Sequence, residues 1–139
     1  MGKFGVMKRT LAAAASVSVL AMAGCGSVGD REDAASAAAV RLLTAAAQQD
    51  GAQACAVLAP DTASELEDSA GKPCPQAILD EDLPKPEAVT GTAVYGQWAQ
   101  VRLSDDTIFL GVFADGWRVV AAGCRSQGDR PYDCTLQGG

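Results

Sequence analysis

Nonpolar residues recur along this chain with two different periods, and the period changes near the middle of the chain. Between residues 33 and 82 they recur every three or four positions, which is typical of helices. Between 88 and 122 they alternate with polar residues, which is typical of strands. A proline-spaced connector, Leu83–Pro86, separates the two regions. The pattern predicts an α+β domain in which N-terminal helices pack on a curved antiparallel sheet.

Four helices are predicted in the first region. The longest covers 33–49, places Val40, Leu43 and Ala47 on one face, and ends at Asp50-Gly51. Thr62 and Glu65 have the spacing of a capping box, and Gly71 has the position of a C-terminal cap. The three shorter helices are predicted at 52–58, 62–69 and 75–80.

About four strands are predicted in the second region, rich in β-branched and aromatic residues. In the second of them Ala99 and Val101 alternate with Trp98 and Gln100, so one face of the sheet is nonpolar and the other mixed. The Asp-Gly pair before Trp117 has the sequence of a tight hairpin turn. The four strands are predicted at 88–95, 97–103, 107–113 and 117–122.

The first 24 residues have the layout of a bacterial export signal. Basic residues precede an apolar, alanine-rich run over 11–22, about 12 residues long, whereas a membrane-spanning helix needs roughly 20. Met22-Ala23-Gly24-Cys25 resembles the lipobox, with methionine where leucine or valine is usual. It predicts cleavage before Cys25 and acylation of that cysteine, so that two acyl chains anchor the protein. The alternative is an ordinary export signal followed by a stray thiol.

The division of the chain follows from this interpretation: an export signal over 1–24, the lipid-bearing cysteine with a flexible tether over 25–32, and one domain over 33–139. We expect acylated Cys25 to insert into the membrane lipid and so to hold the protein on the extracytoplasmic face of the cell membrane. Without its signal the chain has 8 basic and 17 acidic residues, a net charge of −9. Such a charge disfavours nucleic acid as a partner.

Four further cysteines follow Cys25. An even number in a small exported domain predicts two disulfides. Of the three pairings we favour Cys55 with Cys74 and Cys124 with Cys134, which close two short loops. A metal or redox site is the alternative, but the chain has no histidine and no Cys-x-x-Cys spacing, so we expect neither a metal nor a cofactor.

Several short motifs are found over most of the chain after Cys25: Asp50-Gly51, Phe109-Leu110, Gly116-Trp117-Arg118-Val119, Ala122-Gly123-Cys124 and Pro131-Tyr132-Asp133-Cys134. Together they are similar to the motifs of uncharacterised actinobacterial lipoproteins. Those proteins resemble the cone-shaped nuclear transport factor 2-like fold, in which helices pack into the concave side of a bent sheet. The resemblance implies that fold and no particular activity, because the fold serves ligand binders, enzymes and interaction modules.

Candidate functional residues are few. An aromatic group could line a pocket for a small apolar ligand or could fill the core. The chain has neither a Gly-x-Ser-x-Gly elbow nor a phosphate-binding glycine loop, so we expect no enzyme activity. The acidic clusters at 65–68 and 80–82 lack the spacing of a calcium loop and predict a solvated face. The candidate pocket residues are Tyr95, Trp98, Phe109, Phe113 and Trp117.

Two functional hypotheses remain. The first is an accessory module that binds an unidentified protein partner through its acidic face or through a terminal loop, 131–134, bridged to Cys124. The second is a carrier of a small apolar ligand in an open cone lined by Trp98, Phe109 or Trp117.

Overall fold

Four helices precede a five-stranded antiparallel sheet in the computed structural model, which describes Gly2 and residues 26–138. The α+β class and the order of helices before strands are confirmed, but the sheet has one strand more than predicted. Cys25 and the predicted export signal lie outside the described residues. The elements are α1 (Val28–Ala47), α2 (Gly51–Val57), α3 (Pro60–Ala70), α4 (Cys74–Asp80), β1 (Gly91–Tyr95), β2 (Trp98–Arg102), β3 (Thr107–Phe113), β4 (Gly116–Gln127) and β5 (Arg130–Gln137).

Helix α1 begins five residues earlier than predicted, so residues 28–32 are helical and do not form the flexible tether we expected. The cause is a capping box. The Asp30 backbone N–H donates to the Ser27 hydroxyl at 3.1 Å, and the Ser27 N–H donates to the Asp30 carboxylate at 3.0 Å. The helix ends at Ala47, two residues earlier than predicted, and Gln49 follows with φ of 59°.

The shorter helices begin at residues different from those predicted. Helix α3 begins at Pro60, two residues earlier than predicted, and the missing N–H of proline costs nothing at the first position of a helix. Thr62 therefore lies inside α3 and is not its cap; it is buried, and its hydroxyl donates to the Val120 carbonyl at 3.0 Å. Gly71 ends α3 in the left-handed conformation, as predicted.

The sheet is a meander in the order β1-β2-β3-β4-β5, with every neighbouring pair antiparallel. Residues that face the helices meet across the strands in pairs: Val94 with Ala99, Val101 with Ile108, and Leu110 with Val119. The alternation predicted for β2 is confirmed, because Ala99 and Val101 are buried whereas Trp98 is 60% exposed. We call the face away from the helices the outer face.

Strand β4 continues well past Ala122, where the prediction ended it, and β5 forms where a terminal loop was predicted. The register of β4 against β3 shifts beside Gly123, which has φ of 66°, a conformation that glycine adopts without strain. Strand β4 pairs with β5 from Ala121 to Gln127, on both sides of Gly123, so residues 131–134 lie in a strand.

The core lies between α1 and the sheet. Its α1 stripe is Ala35, Ala38, Ala39, Leu42 and Leu43, and the small alanines let the helix approach the strands closely. Of the face predicted for this helix only Leu43 belongs to the core. On the sheet side the fully buried residues include Val101, Ile108, Leu110 and Val119.

Both predicted disulfides are present. Cys55 pairs with Cys74 and thereby joins α2 to α4. Cys124 pairs with Cys134, which stands directly opposite in the β4–β5 register. Each bridge closes a short loop between consecutive cysteines of the described chain.

Candidate functional site

The meander gives the sheet two distinct ends. The β1–β2 and β3–β4 turns lie together, because the Val112 N–H donates to the Gln97 carbonyl at 2.9 Å. Helix α1 starts at this end, since the Arg31 guanidinium donates to the Gly96 carbonyl in the β1–β2 turn. We call this the entry end, because the described chain enters the domain here. The β2–β3 and β4–β5 turns form the opposite, distal end.

The five candidate pocket residues do not share one cavity. Tyr95 and Trp98 stand opposite each other on the outer face at the entry end and are 64% and 60% exposed. Phe113 lies beside them: a Cβ placed on Gly111 would be 3.4 Å from both the Phe113 and the Trp98 rings. These three aromatic side chains thus form a solvent-facing cluster and do not line the side of the sheet that faces the helices.

Phe109 also lies on the outer face, nearer the middle of the sheet. It pairs with Gln100 across β2 and β3, and its ring meets the edge of Tyr132 with centroids 5.0 Å apart. The Gln100 amide donates to the Tyr132 hydroxyl at 3.2 Å. Tyr132, expected in a terminal loop, is thus part of this aromatic contact.

Trp117 is the one candidate that lies on the helix side. It pairs with Val112 and packs against the edge of the core, and the Arg31 guanidinium carbon lies 5.5 Å from its ring centroid. A cation over an aromatic face is attracted by the ring quadrupole, so Trp117 helps to hold the start of α1 on the sheet. Its role in the described chain is packing.

The side of the sheet that faces the helices is filled by side chains. Leu42 and Leu43 of α1 meet Val101, Ile108 and Leu110 of the sheet, and all five are 0% exposed. Close packing of this kind leaves no room for a ligand between these residues. The aromatic pocket expected in an open cone is therefore not formed by the residues we assigned to it.

A polar cleft of about 460 Å³ opens at the distal end, which sequence reasoning did not identify. It lies where the β2–β3 turn, the later part of β4, the start of β5 and the segment after α4 converge. Four carboxyl groups and one guanidinium line it, so acidic side chains outnumber basic ones in the cleft. The residues that form it are Asp82, Leu83, Pro84, Asp105, Asp106, Gly123, Arg125, Asp133, Cys134 and Thr135.

Asp106 is the buried acid of this cleft, at 6% exposure. Its Oδ1 accepts a hydrogen bond from the Thr107 N–H at 2.8 Å, whereas its buried Oδ2 has no hydrogen-bond partner. Burial raises the pKa of Asp106 above its ordinary value, although the N–H groups of Thr107, Cys124 and Gly123 and the charge of Arg125 act in the opposite direction. A buried carboxyl oxygen without a hydrogen-bond partner is rare in folded proteins.

The pattern of the sequence did contain evidence for this position. Asp106 shares the period of Ile108 and Leu110, so extending β3 backwards by one residue would have placed its side chain on the buried face. The predicted strands at 97–103 and 107–113 left Asp105-Asp106 in the connection between them, and the composition of that connection gave no indication of burial.

Two acids of the clusters at 65–68 and 80–82 make structural contacts. Glu67 accepts the Cys74 N–H at 2.9 Å beside the Cys55–Cys74 disulfide, and Asp80 forms an ion pair with Lys72. In residues 26–138 no group of three or more potential metal ligands comes together. None of the helices in this part of the chain is long and apolar enough to cross a membrane.

Comparison with known proteins gives no family. No family model matches the chain, and no curated protein matches it. Among solved structures the chain is similar to a variant of Rv3472, a protein of unknown function from Mycobacterium tuberculosis. The two are 14% identical, the match covers 74% of this chain and 72% of the other, and the TM-score is 0.30. So weak a likeness carries no argument about fold or function.

Proposed function

We propose that this protein is a membrane-anchored extracytoplasmic lipoprotein of the nuclear transport factor 2-like type, acting as a non-catalytic accessory module that binds a protein partner in its distal cleft. The lipid anchor is supported by the basic and apolar N-terminal sequence and the lipobox-like residues before Cys25. The fold assignment is supported by the sequence motifs and by helices packed on one face of an antiparallel meander.

The composition of the cleft is the observation that carries the interaction role. Asp82, Asp105, Asp106 and Asp133 face a single guanidinium, that of Arg125, so the cleft favours a cationic group. A lysine or arginine side chain from a partner protein would supply such a group. Asp133 belongs to the 131–134 segment, for which a partner-binding role was one of our hypotheses.

The apolar carrier has less support. It required an open cone lined by Trp98, Phe109 or Trp117, but the first two side chains lie on the outer face and the third packs against the core edge. The distal cleft, in contrast, is lined mainly by acidic side chains and does not suit an apolar ligand.

The anchor is tested by growing cells with an alkyne-labelled palmitate and attaching a fluorophore to the purified full chain. We expect label on the wild type and none on Cys25→Ser, with the intact mass showing the added acyl chains. An unlabelled wild-type chain of unmodified mass would reject the lipid anchor.

The cleft is tested in cells with a photocrosslinking amino acid placed at Asp105, on the cleft, or at Asp68, an exposed acid of α3 that does not line it. We expect one adduct of defined mass from position 105 and none from 68. Asp133→Asn should reduce that adduct at least threefold, and mass spectrometry should place the crosslink beside a lysine or arginine of the partner. Equal crosslinking from both positions would contradict a role for the cleft.

A further inference from the structure

Large nonpolar side chains that remain exposed are concentrated at the entry end. Among the described residues six such side chains are at least 37% exposed, and only Tyr132 lies away from this end. We call the other five the entry-end surface. They are Val28, Tyr95, Trp98, Val112 and Phe113, with exposures of 65%, 64%, 60%, 40% and 37%.

Two contacts fix the position of α1 relative to this surface. Arg31 contacts Gly96 in the β1–β2 turn, and the Ser36 hydroxyl lies 2.6 Å from the hydroxyl of Thr92, near the start of β1. The helix therefore runs from the entry end toward the start of β1. Val28 precedes Arg31 by three residues, or about 4.5 Å of helix, and so extends beyond the turns.

The same end carries the covalent connection to Cys25. Only Gly26 and Ser27 lie between Cys25 and Val28, and at most about 11 Å of extended chain spans the three steps. The capping box at Ser27 shortens the free segment further, because it fixes the chain two residues after Cys25. A tether of this length cannot hold the domain away from the lipid to which Cys25 would be attached.

We propose that the entry-end surface docks into the headgroup and upper acyl region of the bilayer that holds the Cys25 anchor. This inference rests on the lipid anchor of the proposed function. Tryptophan and tyrosine favour this region, because each has a nonpolar ring and a polar group that remains hydrated. Valine and phenylalanine supply the nonpolar area that enters the acyl boundary.

The charges around the surface determine which lipid it meets. The first turns of α1 carry Asp30 and Glu32, and the guanidinium of Arg31 is already held by Gly96 and Trp117. The domain is acidic as a whole, so an anionic surface repels it. Docking therefore occurs best on zwitterionic headgroups and is driven by the nonpolar and aromatic side chains.

The two tryptophans of the chain allow a direct test. In Trp117→Phe the remaining Trp98 reports on the entry-end surface, and in Trp98→Phe the partly buried Trp117 serves as the matched control. The lipidated full chain of each variant is incorporated into phosphatidylcholine vesicles, with or without brominated acyl chains. We expect bromine to quench Trp98 emission at least twofold and Trp117 emission by less than a fifth.

The outcomes separate this inference from the proposed function. If mass spectrometry finds acylated Cys25 but Trp98 is not quenched, docking is wrong and the anchor stands. If Cys25 carries no acyl chain, both are wrong. If Trp98 is shielded equally without lipid and the chain sediments as a dimer, a second copy covers the surface and docking is wrong.

A further variant tests the composition of the surface. Tyr95→Ser with Phe113→Ser in the Trp117→Phe chain should at least halve the quenching of Trp98. Both side chains are exposed, so the melting temperature should remain close to that of the parent. Replacing phosphatidylcholine by phosphatidylglycerol should also weaken the quenching, and stronger quenching there would overturn the role assigned to charge.

Discussion

Gly51 begins α2 in direct contact with α4. A Cβ at this position would lie 1.8 Å from the Pro75 carbonyl oxygen, and that oxygen belongs to backbone that cannot rotate away. The nearby Cys55–Cys74 disulfide joins the same two helices. The absence of a side chain at Gly51 is therefore a requirement of helix packing, although the sequence alone identified this glycine only as part of a turn.

We predict that Gly51→Ala lowers the free energy of unfolding by about 3 kcal/mol, because α2 and α4 must separate to admit the methyl group. Gly29→Ala is the matched control. It lies in α1, where the nearest atom to a new Cβ is the Ser27 Oγ at 3.7 Å, and it should stabilise the protein by up to about 1 kcal/mol. Urea denaturation measures both, and equal effects would contradict the close approach.

Asp106 gives a prediction about pH. Its raised pKa means that the native state binds this proton more tightly than the unfolded chain, whose value is near the ordinary 3.8. Ionisation therefore opposes folding, and the stability contributed by the acid form is lost as the pH rises above 3.8 through the raised pKa.

Asp106→Asn removes this ionisation. The unfolding free energy of the wild type minus that of the variant should therefore decrease between pH 3 and pH 7, as followed by urea denaturation. The exposed Asp68→Asn controls for the loss of one charge. A difference between wild type and Asp106→Asn that does not change with pH would show that Asp106 titrates normally.

Among the elements, those whose pattern is local were predicted well. The helices and first three strands follow from the spacing of nonpolar residues and from turn sequences such as Asp115-Gly116. Strand β5 was missed although Tyr132, Cys134 and Leu136 alternate with polar residues. Its pairing partner is β4 from Ala121 to Gln127, and most of that stretch lies beyond residue 122, where the fourth strand had been predicted to end.

The start of α1 was missed for a different reason. Ser27 and Asp30 have capping-box spacing with aspartate in place of glutamate, but residues 25–32 had been assigned to a tether because of their position after the lipobox. The helical pattern itself did not exclude the earlier start.

We predict that Ser27→Ala frays α1 back toward Asp33, where the sequence pattern placed its beginning. Loss of the cap should cost about 1 kcal/mol and raise the amide exchange rates of residues 29–32 several-fold. Ser64→Ala, at an exposed position inside α3, should not change those rates. Unchanged exchange in Ser27→Ala would mean that the capping box does not determine where the helix starts.

At the scale of the whole molecule the two ends of the sheet differ in chemistry. The entry end is nonpolar and adjoins the predicted anchor, whereas the distal end carries the acidic cleft. Neither the outer-face aromatic cluster nor the cleft was predicted, because each brings together residues from strands or turns that are distant in sequence. The pattern of nonpolar residues along the chain predicted which faces of the strands are nonpolar. It did not predict which nonpolar side chains α1 would leave uncovered.

This polarity predicts an orientation on the cell. An azide-bearing amino acid at Asp129, in the β4–β5 turn, should react readily with a bulky cyclooctyne dye on intact spheroplasts. The same group at Gln97, in the β1–β2 turn, should react at least fivefold more slowly until detergent is added. Equal rates before detergent would contradict the orientation.

The connectivity of the two disulfides has a consequence for how the protein matures. Cys55 pairs with Cys74 and Cys124 with Cys134, so each bridge joins cysteines that follow one another in the described chain. If the chain is translocated N-terminus first and acylation blocks the Cys25 thiol, both thiols of the first bridge emerge before either thiol of the second. An oxidant that joins thiols in their order of emergence then produces the native pairing directly, so maturation does not depend on a disulfide isomerase.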